Sequence, residues 1–289
     1  MTVVDIHAHV FPPEVVADRA RFVAADAAFA ELYASPKARL ATAEDLRAGM
    51  DAAGVDVSVA VGFAWSDPEL CRHHNDYLLE AADRSGGRVL AFPTLPLAAG
   101  DAAIAAEARR CAAAGARGFG ELRPEPVEGL RPENLGFDLA GEPGRRLGRL
   151  ARELGLPLLF HASEPVGHAY AGKQGLRLES LYGFIRANPG TQVIAAHWGG
   201  GLPFYALMPE VKEALADVYF DTAASSFLYE PAVYRLACEA AGAEHILFGS
   251  DFPLLSQARS RQRVEEAVAD PVARDLILGG SARRLLGLE

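Results

Sequence analysis

A (β/α)8 barrel with one extra C-terminal helix is the fold class this sequence predicts, and three observations predict it. Short apolar runs of strand composition alternate eight times with helix-like segments along the 289 residues, the order that builds a parallel sheet. The runs are nearly continuous in apolar residues, as in Pro157-Leu158-Leu159-Phe160, so the strands are buried on both faces. No Gly-rich phosphate turn follows an early strand, which sets aside an open doubly wound sheet. Length alone would suggest two domains, but barrels of this class fill it as one, and a single domain over residues 1–289 is expected.

The elements follow in order. The first strand is expected at 2–9, β-branched and bounded by Pro12-Pro13, and a less regular stretch continues through Pro36. Thr42-Ala43-Glu44-Asp45 reads as a capping box that opens a helix to Ala53, where Gly54 stops it. Strand two is expected at 55–62, a helix at 70–85, strand three at 89–95, a helix at 101–114 and strand four at 116–122. A Pro/Gly-rich connection, 124–143, leads to a helix at 144–154, strand five at 157–162 and a helix at 176–188. Strand six at 191–197, a helix at 204–215, strand seven at 218–222, a helix at 231–241, strand eight at 245–250 and a helix at 261–269 complete the series. Residues 270–286 read as the extra helix or helix pair, packed on the outside of the barrel.

Composition narrows the function. A net charge of −10 argues against a phosphate-backbone binder, which gathers Lys and Arg into a stripe. The densest basic patches, around Arg145-Arg146 and Arg283-Arg284, read as solvated helix faces. Three isolated cysteines without a CxxC fit neither a disulfide framework nor a cysteine zinc site. No apolar run approaches the ~18 residues of a spanning helix, and the N-terminus lacks a charged region followed by an apolar core. The expectation is a cytoplasmic protein that acts on a small molecule, with no nucleic-acid or membrane partner.

Chemistry in such a barrel gathers at the carboxyl ends of the strands. His7 and His9 end strand one, Glu121 strand four, His161 strand five and His197 strand six, while Asp251 follows strand eight. His7-Ala8-His9 has the strand period, so both imidazoles point to one side, here the interior, about 6.6 Å apart along the backbone. They can converge on one ion at ~2.0 Å Zn–N distances. Barrel closure sets Asp251 beside them, and a carboxylate there must cap, pair with a cation or bind metal, because burying it unpaired is costly. Taken singly, His161 and His197 are compatible with structural roles. Two histidines at successive strand ends, facing an HxH and an aspartate around one ring, are hard to arrange by chance.

Asp5-Ile6-His7-Ala8-His9, His161, Ala196-His197-Trp198-Gly199-Gly200 and Phe248-Gly249-Ser250-Asp251-Phe252-Pro253 together resemble the amidohydrolase superfamily. More narrowly they resemble the amidohydrolase-related branch that includes aminocarboxymuconate-semialdehyde decarboxylase. The resemblance implies one divalent ion held by His7, His9, His161 and Asp251, with His197 against a bound water or developing oxyanion. Zn2+ is the first choice, and Mn2+, Fe2+ or Co2+ also suit such ligands. Binuclear relatives carry a carboxylated lysine at the end of strand four; no lysine stands there, so a mononuclear site is expected. Glu121 is left open between contact with metal or substrate and pairing with a base such as Arg123.

Three imidazoles and a carboxylate leave a position for water, whose pKa the ion lowers from 15.7 to about 7. Hydrolysis of an amide, lactone or ester of a small, carboxylated substrate is the leading expectation, with His197 stabilising the oxyanion and Asp251 moving the proton. The alternative is decarboxylation of a small carboxylic acid, which calls for a cationic clamp from Arg123, His168, Lys173 or Arg177. A barrel that binds metal or ligand without turnover, or one without metal, is the reading from another class. The loop at 163–173, carrying His168, Tyr170 and Lys173, is expected to recognise substrate. Trp198 and Trp65 are placed either as walls of the pocket or as buried packing. Relatives of this kind often form dimers, and a homodimer is expected here.

Overall fold

The computed structural model describes residues 2–124, 137–173 and 176–288. Among them run eight parallel strands: β1 (Val4–His9), β2 (Val57–Val61), β3 (Val89–Phe92), β4 (Phe119–Leu122), β5 (Leu158–Phe160), β6 (Val193–Ala195), β7 (Val218–Asp221) and β8 (Ile246–Leu247). The ladders join β1-β2-β3 and β4-β5-β6-β7-β8. Two seams link these sheets into a barrel. Ile6 N donates to Phe248 O at 2.8 Å and Asp251 N to His7 O at 2.9 Å, while Arg117 N donates to Ala91 O at 2.9 Å and Gly120 N to Pro93 O at 3.0 Å.

The stretch read as less regular holds three short helices, α1 (Pro13–Ala17), α2 (Arg19–Ala25) and α3 (Ala27–Tyr33). Asp18 and Asp26 cap the second and third by accepting from Arg21 N and Phe29 N. Helices of 5 to 7 residues are too short to show a 3.6 period, so the caps were the legible signal. They cover Phe11, Phe63 and Trp65 with Phe22 and Phe29, an aromatic cluster beside the main core. In α4 (Ala43–Ala53) the expected capping box is present in both directions, and Gly54 ends the helix at φ 63°, a conformation glycine adopts without steric cost.

The remaining helices are α5 (Pro68–Asp83), α6 (Asp101–Ala113), α7 (Glu142–Leu154), α8 (Leu178–Ala187), α9 (Pro209–Ala214), α10 (Ser225–Leu228), α11 (Ala232–Ala241), α12 (Gln257–Ala267), α13 (Pro271–Asp275) and α14 (Ser281–Leu286). The helix expected at 204–215 is instead a 3-10 stretch, His197–Leu207, followed by α9. Pro203 lacks the amide a regular helix needs, and Gly199, Gly200 and Gly201 hold positive φ. Of the Pro/Gly-rich connection at 124–143, residues 125–136 lie outside the described residues.

Side chains divide into two layers. Val4, Ile6, Val59, Val61, Phe92, Leu159, Ile194 and Leu247 fill the barrel interior, while Leu158, Phe160, Val193, Phe220 and Phe248 belong to the layer under the helices. The C-terminal helix departs from expectation. Its Ala282, Leu285 and Leu286 join the interior cluster, so α14 closes the floor of the barrel instead of packing against its outside. Gly279, just before it, passes so close to the start of β1 that a Cβ would stand 2.0 Å from Thr2 O. An apolar barrel interior open at one end would face water, and covering it removes that exposed area. Among the described residues no helix is long and apolar enough to cross a membrane.

Candidate active site

Two register shifts aim the site. Between Asp5 and Ala8 three steps of β1 run against two of β2, Ser58 to Ala60, and between Phe119 and Leu122 three steps of β4 run against two of β5. Such a bulge breaks strict alternation and re-aims the next side chain. Val4 and Ile6 therefore face the interior, and His7 and His9 do so as well. Phe119 and Leu122 both face the helix layer, which turns Glu121 inward.

The imidazoles and carboxylates meet at the carboxyl ends of the strands. His7 Nε2 and His9 Nε2 are 3.1 Å apart. Asp251 Oδ1 lies 3.8 Å from the first and 3.5 Å from the second. Glu121 reaches the same two atoms at 3.9 and 3.7 Å, and its Oε1 is 3.3 Å from His197 Nε2. From behind, Asp221 Oδ2 accepts from His7 Nδ1 at 2.8 Å. That bond turns His7 Nε2 toward the centre. The other oxygen of Asp221 accepts from His197 N at 2.8 Å and Ala223 N at 3.0 Å, holding His197 at φ 55°.

Burial alone would lower the pKa of His7, but Asp221, with Glu121 and Asp251, outweighs it and raises the group to about 10. His197 follows the same balance, lowered by burial but carried up to about 9 by Glu121 and Asp251. His9 goes the other way, lowered by burial and by His7 beside it. Burial pushes Glu121 up, yet His161, His197 and His7 hold its carboxyl well below the ordinary range.

The donor set fits a divalent cation. His7, His9 and Asp251 form one buried group with ligand atoms within 4.8 Å of one another, and His7, Glu121 and His197 form a second. Two imidazole Nε2 atoms at 3.1 Å can share at most one proton between them. His9 Nδ1 is buried with no hydrogen-bond partner among the described residues. A cation at this centre would take up lone pairs from nitrogen and carboxylate oxygen together.

His161 lines the same cavity but belongs to neither group. Its Nδ1 is 2.8 Å from Glu121 Oε1, and its Nε2 is 2.9 Å from Gly172 O and 3.1 Å from Ser163 Oγ. Glu121 therefore links the imidazoles; Arg123 instead pairs with Glu31 at 3.5 Å.

The cavity has a volume of about 450 Å³. His9, Glu121, His161, His197 and Asp251 form its polar end, and Leu32, Tyr33, Phe227, Leu228 and Leu254 its apolar walls. Arg123, His168 and Tyr170 line it, as do Lys37 and Arg39. Lys173 does not: its Nζ donates to Val166 O at 2.8 Å and His168 O at 2.7 Å, bracing its own loop. Arg177 is exposed at the start of α8. Trp198 is corrected too. It is fully buried, donates to Ser225 Oγ at 2.8 Å and meets Tyr234 edge-on, because the left-handed turn at His197 and Trp198 sends it outward. Trp65 packs in the aromatic cluster.

Sequence reasoning missed Asp221, Tyr33, Lys37 and Arg39. Asp221 ends β7, so the positional test applied to the other strands would have found it. The other three lie in or just after the short helices, where no periodicity marks them.

A parallel barrel with buried imidazoles and carboxylates meeting at the carboxyl ends of its strands defines the scaffold of a barrel enzyme. The sequence profile of the amidohydrolase family matches residues 4–288, and the chain belongs to that family. Over 87 residues it is 38% identical to 6-methylsalicylic acid decarboxylase of Penicillium expansum; that match covers 25% of this chain and 26% of the relative's length. Among solved structures it is similar to 2,6-dihydroxybenzoate decarboxylase complexed with 2,6-dihydroxybenzoate, with a TM-score of 0.78, 21% identity and 100% of both chains covered. It is also similar to a dihydroxybenzoic acid decarboxylase from Polaromonas sp. JS666 with bound manganese and the inhibitor 2-nitroresorcinol. There the TM-score is 0.76 at 19% identity, covering 99% of this chain and 97% of that one. At these identities the structural likeness carries the fold.

Proposed function

We propose that this protein is a metal-dependent decarboxylase of a small hydroxylated aromatic acid, in place of the hydrolase that the sequence favoured. The observation that carries this reading is the cavity, a ring-sized space whose apolar walls meet a buried polar end and whose lining includes Lys37, Arg39 and Arg123. Decarboxylases of hydroxybenzoic acids recur among the proteins this chain is similar to, which supports the choice over hydrolysis.

His7, His9 and Asp251 are the residues we assign to the ion, with Glu121 and His161 beside them, and Mn2+ or Zn2+ as the first metals to try. When bound, the ion supplies Lewis-acid polarisation of substrate oxygens. The chain does the rest. The cationic side chains hold the carboxylate, while Leu32, Phe227 and Leu254 orient the ring and keep water from it. His197 Nε2, 3.3 Å from Glu121 Oε1, holds the proton to be delivered. The bond between ring and carboxyl carbon breaks with its electron pair left on the ring. CO2 departs, the proton from His197 Nε2 takes its place, and solvent reprotonates the imidazole.

The test is a panel of 6-methylsalicylate, 2,6-dihydroxybenzoate, lactones and aryl esters given to manganese- or zinc-loaded protein, with CO2 and organic products measured together. CO2 with the matching phenol is expected. Ester or lactone hydrolysis, with no CO2 from any hydroxybenzoate, would overturn the reading.

A further inference from the structure

A second cavity, about 190 Å³ in volume, lies between the loops that follow β7 and β8, and Tyr234 and Leu255 line it beside the polar Thr222, Ser225, Ser226, Arg259, Ser260 and Arg263. It occupies the reverse of the segment whose Ala224, Phe227 and Leu228 line the catalytic cavity. Arg259 and Arg263 stand one turn apart on α12, so both guanidiniums rise from one face. Among the described residues neither makes an ion pair, and Arg263 Nε is buried with no partner. This is unusual company for a chain of net charge −10. Ser260 is 9% exposed and its hydroxyl is also buried and unpartnered.

The other hydroxyls are already used by the fold. Thr222 Oγ1 exchanges bonds with Gly249, Ser225 Oγ donates to Thr222 O while accepting from Trp198 Nε1, and the Tyr234 hydroxyl pairs with Ser225. What remains for a ligand is a set of donors: two guanidiniums and the hydroxyls of Ser226 and Ser260. Among the described residues no carboxylate lines the space. A buried donor left without an acceptor costs free energy, and guanidinium forks match oxyanions better than any neutral group.

We propose that this cavity is a binding site for a small oxyanion of the phosphate or sulfate class, separate from the catalytic cavity. Calorimetric titration of metal-free, full-length protein with inorganic phosphate, sulfate and acetate tests it, and the acetate arm separates a tetrahedral anion from a carboxylate. Saturable one-site binding is expected for phosphate and sulfate. Arg263→Gln should weaken it at least about tenfold, the double variant Arg259→Gln with Arg263→Gln should remove it, and Arg263→Lys should fall between, keeping the charge but losing the fork. Thermal unfolding of each variant controls for folding. Absence of saturable binding would overturn the proposal. Unchanged affinity in the double variant would do the same, since it would place the anion in the catalytic cavity. So would self-association that the double variant abolishes while phosphate binds nowhere.

Discussion

The two ends of this barrel are built on opposite principles. At the mouth, His7, His9, Glu121, Asp221 and Asp251 are buried together, and every non-glycine residue with positive φ among the described residues lies there: His197, Trp198, Ala224 and Asp251. At the floor, Val4, Ile6, Val59, Leu247 and their neighbours meet Ala282, Leu285 and Leu286 in an apolar cluster, and the Arg117 guanidinium donates to Leu286 O. Buried charge and left-handed backbone each cost stability, and the apolar end is where burial offsets that cost. The contrast teaches that function and stability occupy different residues here, so substitutions should separate them.

The largest effect expected from breaking that separation is at the mouth. His7→Ala should lose metal on dialysis and about 100-fold or more of turnover, while His197→Ala should keep its metal and lose turnover to a similar degree. Metal content by elemental analysis beside kcat distinguishes the two, and full activity in His197→Ala would remove that residue from proton transfer. At the floor, Leu285→Ala should cost about 2–5 kcal/mol of unfolding free energy with kcat per folded molecule unchanged, as read by denaturant titration and assay of the same samples.

Smaller effects sharpen the comparison. Tyr33 lines the catalytic cavity with its ring stacked on Phe29 at 4.7 Å and set edge-on to Phe11 and Phe63. Asp26 and Arg19 pin the chain on either side of it. A phenol fixed so firmly against the substrate space should contribute a hydrogen bond. Tyr33→Phe should raise KM about tenfold and leave kcat nearly unchanged, and an unaltered KM would make the ring a wall and nothing more.

The smallest effect is a pH trend in metal-free protein. His7 and His197 titrate near 10 and 9 in the folded state, above the ordinary 6.5. The folded chain therefore keeps protons that the unfolded chain has released, and their stabilisation is full below 6.5 and fades as pH rises through about 9 and then about 10. The denaturation midpoint should fall across that window in Leu285→Ala as in the parent chain, and less steeply in His197→Ala.

Much of the mouth was legible because barrel chemistry sits at strand ends, and a rule of position finds His7, His9, Glu121, His161, His197 and Asp251 without any contact. What the rule could not give was direction. Alternation from Val4 and Ile6 would have sent His7 toward the helices, and only the bulge beside it turns the ring inward. The direction of Trp198, left open between pocket wall and buried packing, was hidden for a related reason, since a run of left-handed residues after His197 leaves no periodic signal in the sequence. The floor was harder still. Residues 281–286 carry a helical pattern, but nothing local says whether its apolar side meets the outside of a barrel or its open end.

The seam between the first and last strands has one more consequence. Ser250 N reaches Asp5 Oδ1 across 245 positions, and Gln257 Nε2 adds a bond to the same carboxylate while touching Ser58. The histidines near one terminus and the aspartate near the other can share a centre only once this long-range pairing has formed. Closing so long a loop carries an entropy cost. Occupancy of the centre is therefore a direct reporter that the ring of strands has shut.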